Sequence, residues 1–142
     1  MYIMEGSIVN IVNKLFEYSN QYIDIRIDIN LPMPGFSTIE KNIYGRFVPI
    51  ILLNPKVLQE DTNVQAHILG HEWGHHVCKH IGLVPPLIKE TEEQKQRKED
   101  EADLYAAKFI KEYMYDKKPI LEFLKSNPID YDNRSLILNS QK

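Results

Sequence analysis

His71-Glu72-Trp73-Gly74-His75 sets two imidazoles one helical turn apart with a carboxylate between them. Residues four apart on an α-helix share a face, with Cβ atoms about 5–6 Å apart, so His71 and His75 can grip one tetrahedral metal ion. Glu72 follows around the same edge, where it can take a proton from a water molecule, the division of labour in an H-E-x-x-H pattern. The flanks extend the helix. Thr62-Asn63-Val64-Gln65 reads as a capping box and Gly82 as a terminator, which predicts one helix of about five turns. At about 100° per residue, Val64, Ile68, His75 and Cys78 fall near His71, while Ala66, Trp73 and Val77 gather opposite, so both faces are expected to be buried. Buried imidazoles need partners for their nitrogens, and a metal backed by hydrogen-bond acceptors would supply them.

Further ligands must come from elsewhere, and the charged run Lys98-Glu99-Asp100-Glu101-Ala102-Asp103 offers several. Thr91-Glu92-Glu93-Gln94 is a second capping-box pattern, opening a helix expected to reach Tyr115. Measured from Glu99, the residues Ala102, Asp103, Ala106, Ile110 and Tyr113 lie within about 60°, whereas Glu101 points about 160° away. Glu99 and Asp103 thus extend an apolar stripe, where a carboxylate must be paired or metal-bound. Glu101, Lys108 and Glu112 suit a solvated face. Without the upstream motif, all of these acids would read as an ordinary solvated charge run.

His-Glu-x-x-His followed by Glu-x-x-x-Asp resembles the gluzincin arrangement, which implies Glu99 as the third zinc ligand and Asp103 as the group that orients a ligating histidine. More narrowly, His71-Glu72-Trp73-Gly74-His75 with Glu99-Asp100-Glu101-Ala102-Asp103-Leu104-Tyr105-Ala106 resembles the ImmA/IrrE family of small metallopeptidases, which carry H-E-x-G-H and then E-x-E-A-N-x-F-A or close variants. Ile50-Ile51-Leu52-Leu53-Asn54 suits the strand that precedes the motif helix in that family. Asp103 stands where the family usually has Asn, and Tyr105 where it has Phe. Asp103 also suits membrane proteases with E-x-x-A-D, but apolar runs such as Val48 to Leu53 fall far short of the roughly 20 residues that span a bilayer. A metzincin would need Gly and His where Cys78 and Ile81 stand, and His80 is one residue out of register.

The resemblance covers roughly residues 40–115 and implies an α+β, zincin-like fold for a single domain of residues 1–142, with a small mixed sheet, the H-E-x-x-H helix and a second helix bearing metal ligands. It implies one Zn²⁺ per chain held by His71, His75 and Glu99, and a peptidase whose protein substrate is a helix-turn-helix repressor of a phage, mobile element or stress regulon. The competing class is a non-catalytic, metal-stabilised anti-repressor that only binds its partner. Glu72 argues for catalysis, since a structural metal site has no use for a general base. In the catalytic reading Glu72 takes a proton from the attacking water and returns it to the leaving amine. Negative charge on the attacked carbonyl oxygen also calls for a stabiliser. With no histidine after His80, Tyr105, Tyr113, Tyr115, Tyr131 and His76 are the candidates for oxyanion or substrate contacts. His67 and His76 are expected to serve as hydrogen-bonded structural or cleft residues, because a fourth protein ligand would close the metal to water.

The remaining sequence bounds the setting. With 142 residues, 43% of them hydrophobic, the chain can fill one compact core but not two. A net charge of −3 gives no basic footprint for direct nucleic-acid binding. Met1 to Gly6 has no signal-peptide pattern, and Cys78, the single cysteine, cannot form an internal disulfide; both suit a cytoplasmic protein. Ser7 is expected to cap a helix presenting Ile8, Ile11, Val12, Leu15 and Phe16. Ile23, Ile25, Ile27 and Ile29 alternate with polar residues as a strand. Pro32-Met33-Pro34-Gly35 breaks the chain, and Asn42 to Asn54, interrupted by Gly45 and Pro49, is expected to form two short strands or a bulged one near the sheet edge. Such an edge could hold an extended substrate by strand addition. Residues 83–90, with Pro85-Pro86, would link the metal helices beside the cleft; Pro119 opens a short helix through Leu124, and the tail from Ser126 is weakly patterned.

Overall fold

The computed structural model describes residues 6–81 and 89–141. Its elements run α1 (Ser7–Ser19), β1 (Asp24–Ile27), β2 (Gly35–Lys41), β3 (Phe47–Leu53), a 3-10 turn (Pro55–Gln59), α2 (Thr62–Val77), α3 (Glu92–Glu112), α4 (Lys117–Ser126) and α5 (Tyr131–Asn139). The architecture is therefore α+β, with a small mixed sheet of order β1-β3-β2 in which β1 lies parallel and β2 antiparallel to β3.

α1 places Ile8, Ile11 and Leu15 in the core, as their spacing requires, and its last residue, Ser19, accepts the Trp73 indole N–H at 2.9 Å. Ser7 is the first helical residue rather than the cap; its hydroxyl donates to the buried side chain of Gln65. Gln65 in turn donates to the Val57 carbonyl at 2.9 Å, so it ties α2 to its neighbours instead of closing a capping box. The cap of α2 is Asp61, one residue earlier than the sequence pattern suggested, accepting from the Asn63 backbone at 2.8 Å. α2 ends at Val77, and Gly82 lies outside the described residues. At the start of α3 the Thr91/Gln94 capping box forms as expected.

The sheet departs from expectation in two places. Gly35–Lys41, read as lying between the proline break and the next strand, forms β2, while Asn42 to Arg46 makes the turn, with Gly45 at φ +78°. β3 is consequently the central strand, not an edge, although it contains Pro49. The register removes the conflict. β1 pairs with β3 only from Ile50 onward, and Pro49 has a partner on the β2 side alone, so the missing N–H costs no ladder bond to β1. In the weakly patterned tail, α5 is a further helix that sequence periodicity did not show.

α2 runs through the middle of the molecule, with Val64 to His71, Trp73 and Gly74 all buried. Two glycines allow α3 to press against it. A Cβ on Gly74 would sit 3.0 Å from Tyr105 Cβ and 3.2 Å from both Ala102 Cα and the Ala102 carbonyl oxygen; one on Gly70 would sit 3.3 Å from Ala106 Cα and Cβ. Backbone atoms cannot move aside as a flexible side chain can, so Gly74→Ala should force the helices apart. We expect a loss of about 1–3 kcal/mol in denaturant melts, typical of overpacking.

Candidate metal centre

Both imidazoles of the motif point the same edge outward. His71 Nε2 and His75 Nε2 lie 3.2 Å apart, and the Glu99 carboxylate closes the triangle at 2.9 Å from His71 Nε2 and 3.5 Å from His75 Nε2. One ligand atom from each residue thus falls within 4.8 Å of the others, a spacing that could hold a metal ion. The far side of each ring is occupied too. His71 Nδ1 is 2.7 Å from Asp103 Oδ1, and His75 Nδ1 is 2.9 Å from His80 Nδ1.

Proton placement gives this triangle its chemistry. Ionised Asp103 can only accept, so His71 carries a proton on Nδ1 and, when neutral, aims a bare lone pair from Nε2. If His75 donates from Nδ1 to His80, its Nε2 does the same. Two nitrogen lone pairs and a carboxylate then converge on one point, an arrangement that a cation relieves. The electrostatics agree. Burial pulls the His71 imidazole down, but hydrogen bonds to Asp103 and Glu99, with the charge of Glu72 added, carry it up to about 10. Hydrogen bonds from His71 and then His75 hold the Glu99 carboxyl far below its usual range. A cluster this hungry for positive charge, built from imidazole and carboxylate donors, fits a divalent ion of the zinc type.

Asp103 is 3% exposed, as its stripe position predicted, and α5 supplies a partner that the sequence did not reveal. Arg134 grips it in a fork, Nε to Oδ2 at 2.8 Å and Nη2 to Oδ1 at 3.0 Å. Burial alone would raise the Asp103 carboxyl, yet the hydrogen bonds from His71 and Arg134 hold it well below the ordinary range. Glu99 differs from expectation. Its side chain is 54% exposed, so it stands on the rim of the cleft rather than in the buried stripe, as suits a ligand that leaves one side of the site open.

Glu72 lies 4.0 Å from His71 Nε2 through its Oε2. Its other oxygen accepts the Ser37 hydroxyl at 2.8 Å, and that hydroxyl is also 2.8 Å from the Glu72 carbonyl. Gly35 packs directly on the Glu72 side chain, where a Cβ would come within 3.0 Å of Glu72 Cγ. β2 therefore fixes the carboxylate's rotamer. A cleft of about 990 Å³ opens over these groups, walled by Met33 to Ser37 on one side and by Asn127 to Asp130 on the other.

The oxyanion candidates are not brought here. Tyr105 and Tyr113 pack with Tyr18 and Phe109 on the core side of α3, with Tyr105 5.5 Å from Tyr18 between ring centroids and Tyr113 5.0 Å from Phe109. Tyr115 stacks under Lys14, 4.9 Å from Nζ to the ring centroid, and Tyr131 packs against the same core. His76 Nε2 binds the Ile50 carbonyl at 2.9 Å, which ties α2 to β3. The helical stripe that carries Asp103 also carries Tyr113 inward, which is why both read alike in sequence. His67 does border the cleft; burial above all pushes its imidazole down to about 3, so it is neutral there. Glu101, expected on a solvated face, reaches His80 Nε2 at 3.3 Å.

Comparisons with protein-family models, with curated proteins and with solved structures gave no match to this chain.

Removing the groups behind the donors should loosen the site without abolishing it. We expect Asp103→Ala to lower metal affinity about 10–100-fold, the usual cost of losing a ligand's outer partner. Asp103→Asn should be milder, because its amide oxygen can still accept from His71. Competition against a chelator, with thermal melts to exclude unfolding, measures both; equal affinity in wild type and Asp103→Ala would remove Asp103 from the site.

Proposed function

We propose that this chain is a zinc-dependent endopeptidase of the ImmA/IrrE kind, acting on a protein substrate, with a helix-turn-helix repressor of a phage, mobile element or stress regulon as the substrate class. The observation that carries the reading is the convergence of His71, His75 and Glu99 beside a separately held Glu72 carboxylate. A metal needed for stability alone requires the first three and gains nothing from the fourth.

Zinc held by these three residues would supply a Lewis acid that polarises a peptide carbonyl and acidifies a water molecule. The chain's own groups do the rest. Glu72, braced by Ser37 through Oε1, has Oε2 free to take the proton of the attacking water and pass it to the leaving amine. Asp103 and Arg134 keep the His71 ring from turning. Among the described residues β2 lies at the sheet margin, paired with β3 on one side, and it begins at the residue packed on Glu72. An extended substrate added to that margin would run past the carboxylate, main chain to main chain.

Purified protein should hold one zinc per chain, and His71→Ala, His75→Ala or Glu99→Ala should each greatly weaken its retention at the His71/His75/Glu99 site. Glu72→Gln should keep zinc and the melting temperature yet lose about 10²–10⁴-fold in turnover, since the amide preserves shape but cannot accept the proton. Ser37→Ala should lower kcat more than KM by freeing the Glu72 rotamer. Relief of a target repressor to the same extent by wild type and Glu72→Gln would favour the non-catalytic anti-repressor instead. Proteins that accumulate on a Glu72→Gln trap would identify the substrate.

A further inference from the structure

A second group of donors lies behind the first. Where α2 ends, Cys78, His80 and the α3 residue Glu101 bring one ligand atom each within 4.8 Å of one another. His80 is the element shared with the first site: its Nδ1 faces His75 Nδ1 at 2.9 Å, and its Nε2 faces Glu101 Oε2 at 3.3 Å. The His80 side chain is only 6% exposed, so the ring is held in place, whereas the Glu101 side chain is 46% exposed and open to an incoming ion. Among the described residues the Lys or Arg cation paired with Glu101 is Arg97, 3.9 Å away and 71% exposed, which can swing off into water. A thiol, an imidazole and a carboxylate make a donor set suited to zinc or another borderline-soft divalent cation, with water completing four-coordination.

We propose that Cys78, His80 and Glu101 form a second divalent-metal site, containing a thiolate, whose occupancy opposes that of the His71/His75/Glu99 site. The opposition comes from the 2.9 Å contact between the two Nδ1 atoms, which has room for one proton. A metal on His75 Nε2 leaves that proton on His75 Nδ1, donated to His80; neutral His80 then carries its own proton on Nε2, facing Glu101, and has no lone pair there for a metal. A metal on His80 Nε2 reverses the order. His80 keeps its proton on Nδ1 and donates it to His75, whose remaining proton must sit on Nε2, inside the first site. Filling both at once requires either an imidazolate or a broken hydrogen bond. Binding at the second site releases the Cys78 thiol proton to solvent, while the proton lost from His80 Nε2 is matched by the one taken up on His75 Nε2, so the ring pair keeps two protons throughout. Excess metal acting here would inhibit through the shared ring pair.

The site itself does not depend on peptidase activity, and a spectroscopic probe reads it directly. Metal-free protein is titrated with Co²⁺, which gives a thiolate-to-metal charge-transfer absorption only when sulfur is a ligand. The first equivalent should bind without that band and later equivalents should raise it. Cys78→Ser should erase the band while keeping the first equivalent. In Glu99→Ala, whose first site is weakened by loss of a rim ligand, the thiolate site should tighten by a factor in the range of about 5–150, the size of ordinary site-to-site coupling. No band at saturating Co²⁺, or a band that survives both His80→Ala and Glu101→Gln, overturns the site. An unchanged affinity of the thiolate site in Glu99→Ala overturns the coupling. Loss of turnover in every variant without change in these spectra would bear on the peptidase reading alone.

Discussion

The close approach of α3 to α2 is the constraint on which the other features depend. Side chains reach across a helix pair by a length set by the separation of the two backbones, and here that separation is set by the absence of Cβ atoms at Gly70 and Gly74. With the alanines at 102 and 106 facing them, the helices touch backbone to backbone. Asp103 can then meet His71 at 2.7 Å, and Glu99, one turn earlier, can meet both motif imidazoles. The glycine within H-E-x-G-H is thus a steric part of the site, although it carries no functional group.

That approach also concentrates charge beside the core. Asp103, Arg134, His71 and Glu99 form a connected chain of hydrogen-bonded ionisable groups, most of it withdrawn from water. Each member is costly to bury singly, and the chain stands because every link is made. The molecule compensates elsewhere, with Trp73, Phe109, Leu69 and Ile110 fully buried around it. The same helix that presents His71 and His75 to the site buries Leu69 and Trp73 completely in the core.

Much of this was legible from helical periodicity. Placing His71, His75, Glu99 and Asp103 on facing stripes requires only the angle per residue, and the structure brings them together. What periodicity could not show is any partner chosen by tertiary contact. Ser37 lies in β2, a strand hidden between a proline break and a turn; Arg134 lies in α5, whose polar sequence has little amphipathic pattern; His80 sits just beyond α2, where helical angles no longer apply. Tyr105 and Tyr113 failed as cleft residues for the complementary reason: a stripe tells which residues are inward, not whether inward means core or cleft. Pro49 shows the same limit, since a residue that argues for an edge is tolerated centrally once β1 starts one position later.

Arg134 carries a consequence for how the protein comes into being. The hydrogen bonds that complete the site join Ser37 to Glu72, His71 to Asp103 and Asp103 to Arg134, spans of 35, 32 and 31 residues that follow one another along the chain. During synthesis the motif helix emerges well before the residue that locks Asp103. A nascent chain ending short of residue 134 lacks the guanidinium fork that holds Asp103 behind His71. The last hydrogen bond of the site can therefore close only when nearly the whole chain has been made.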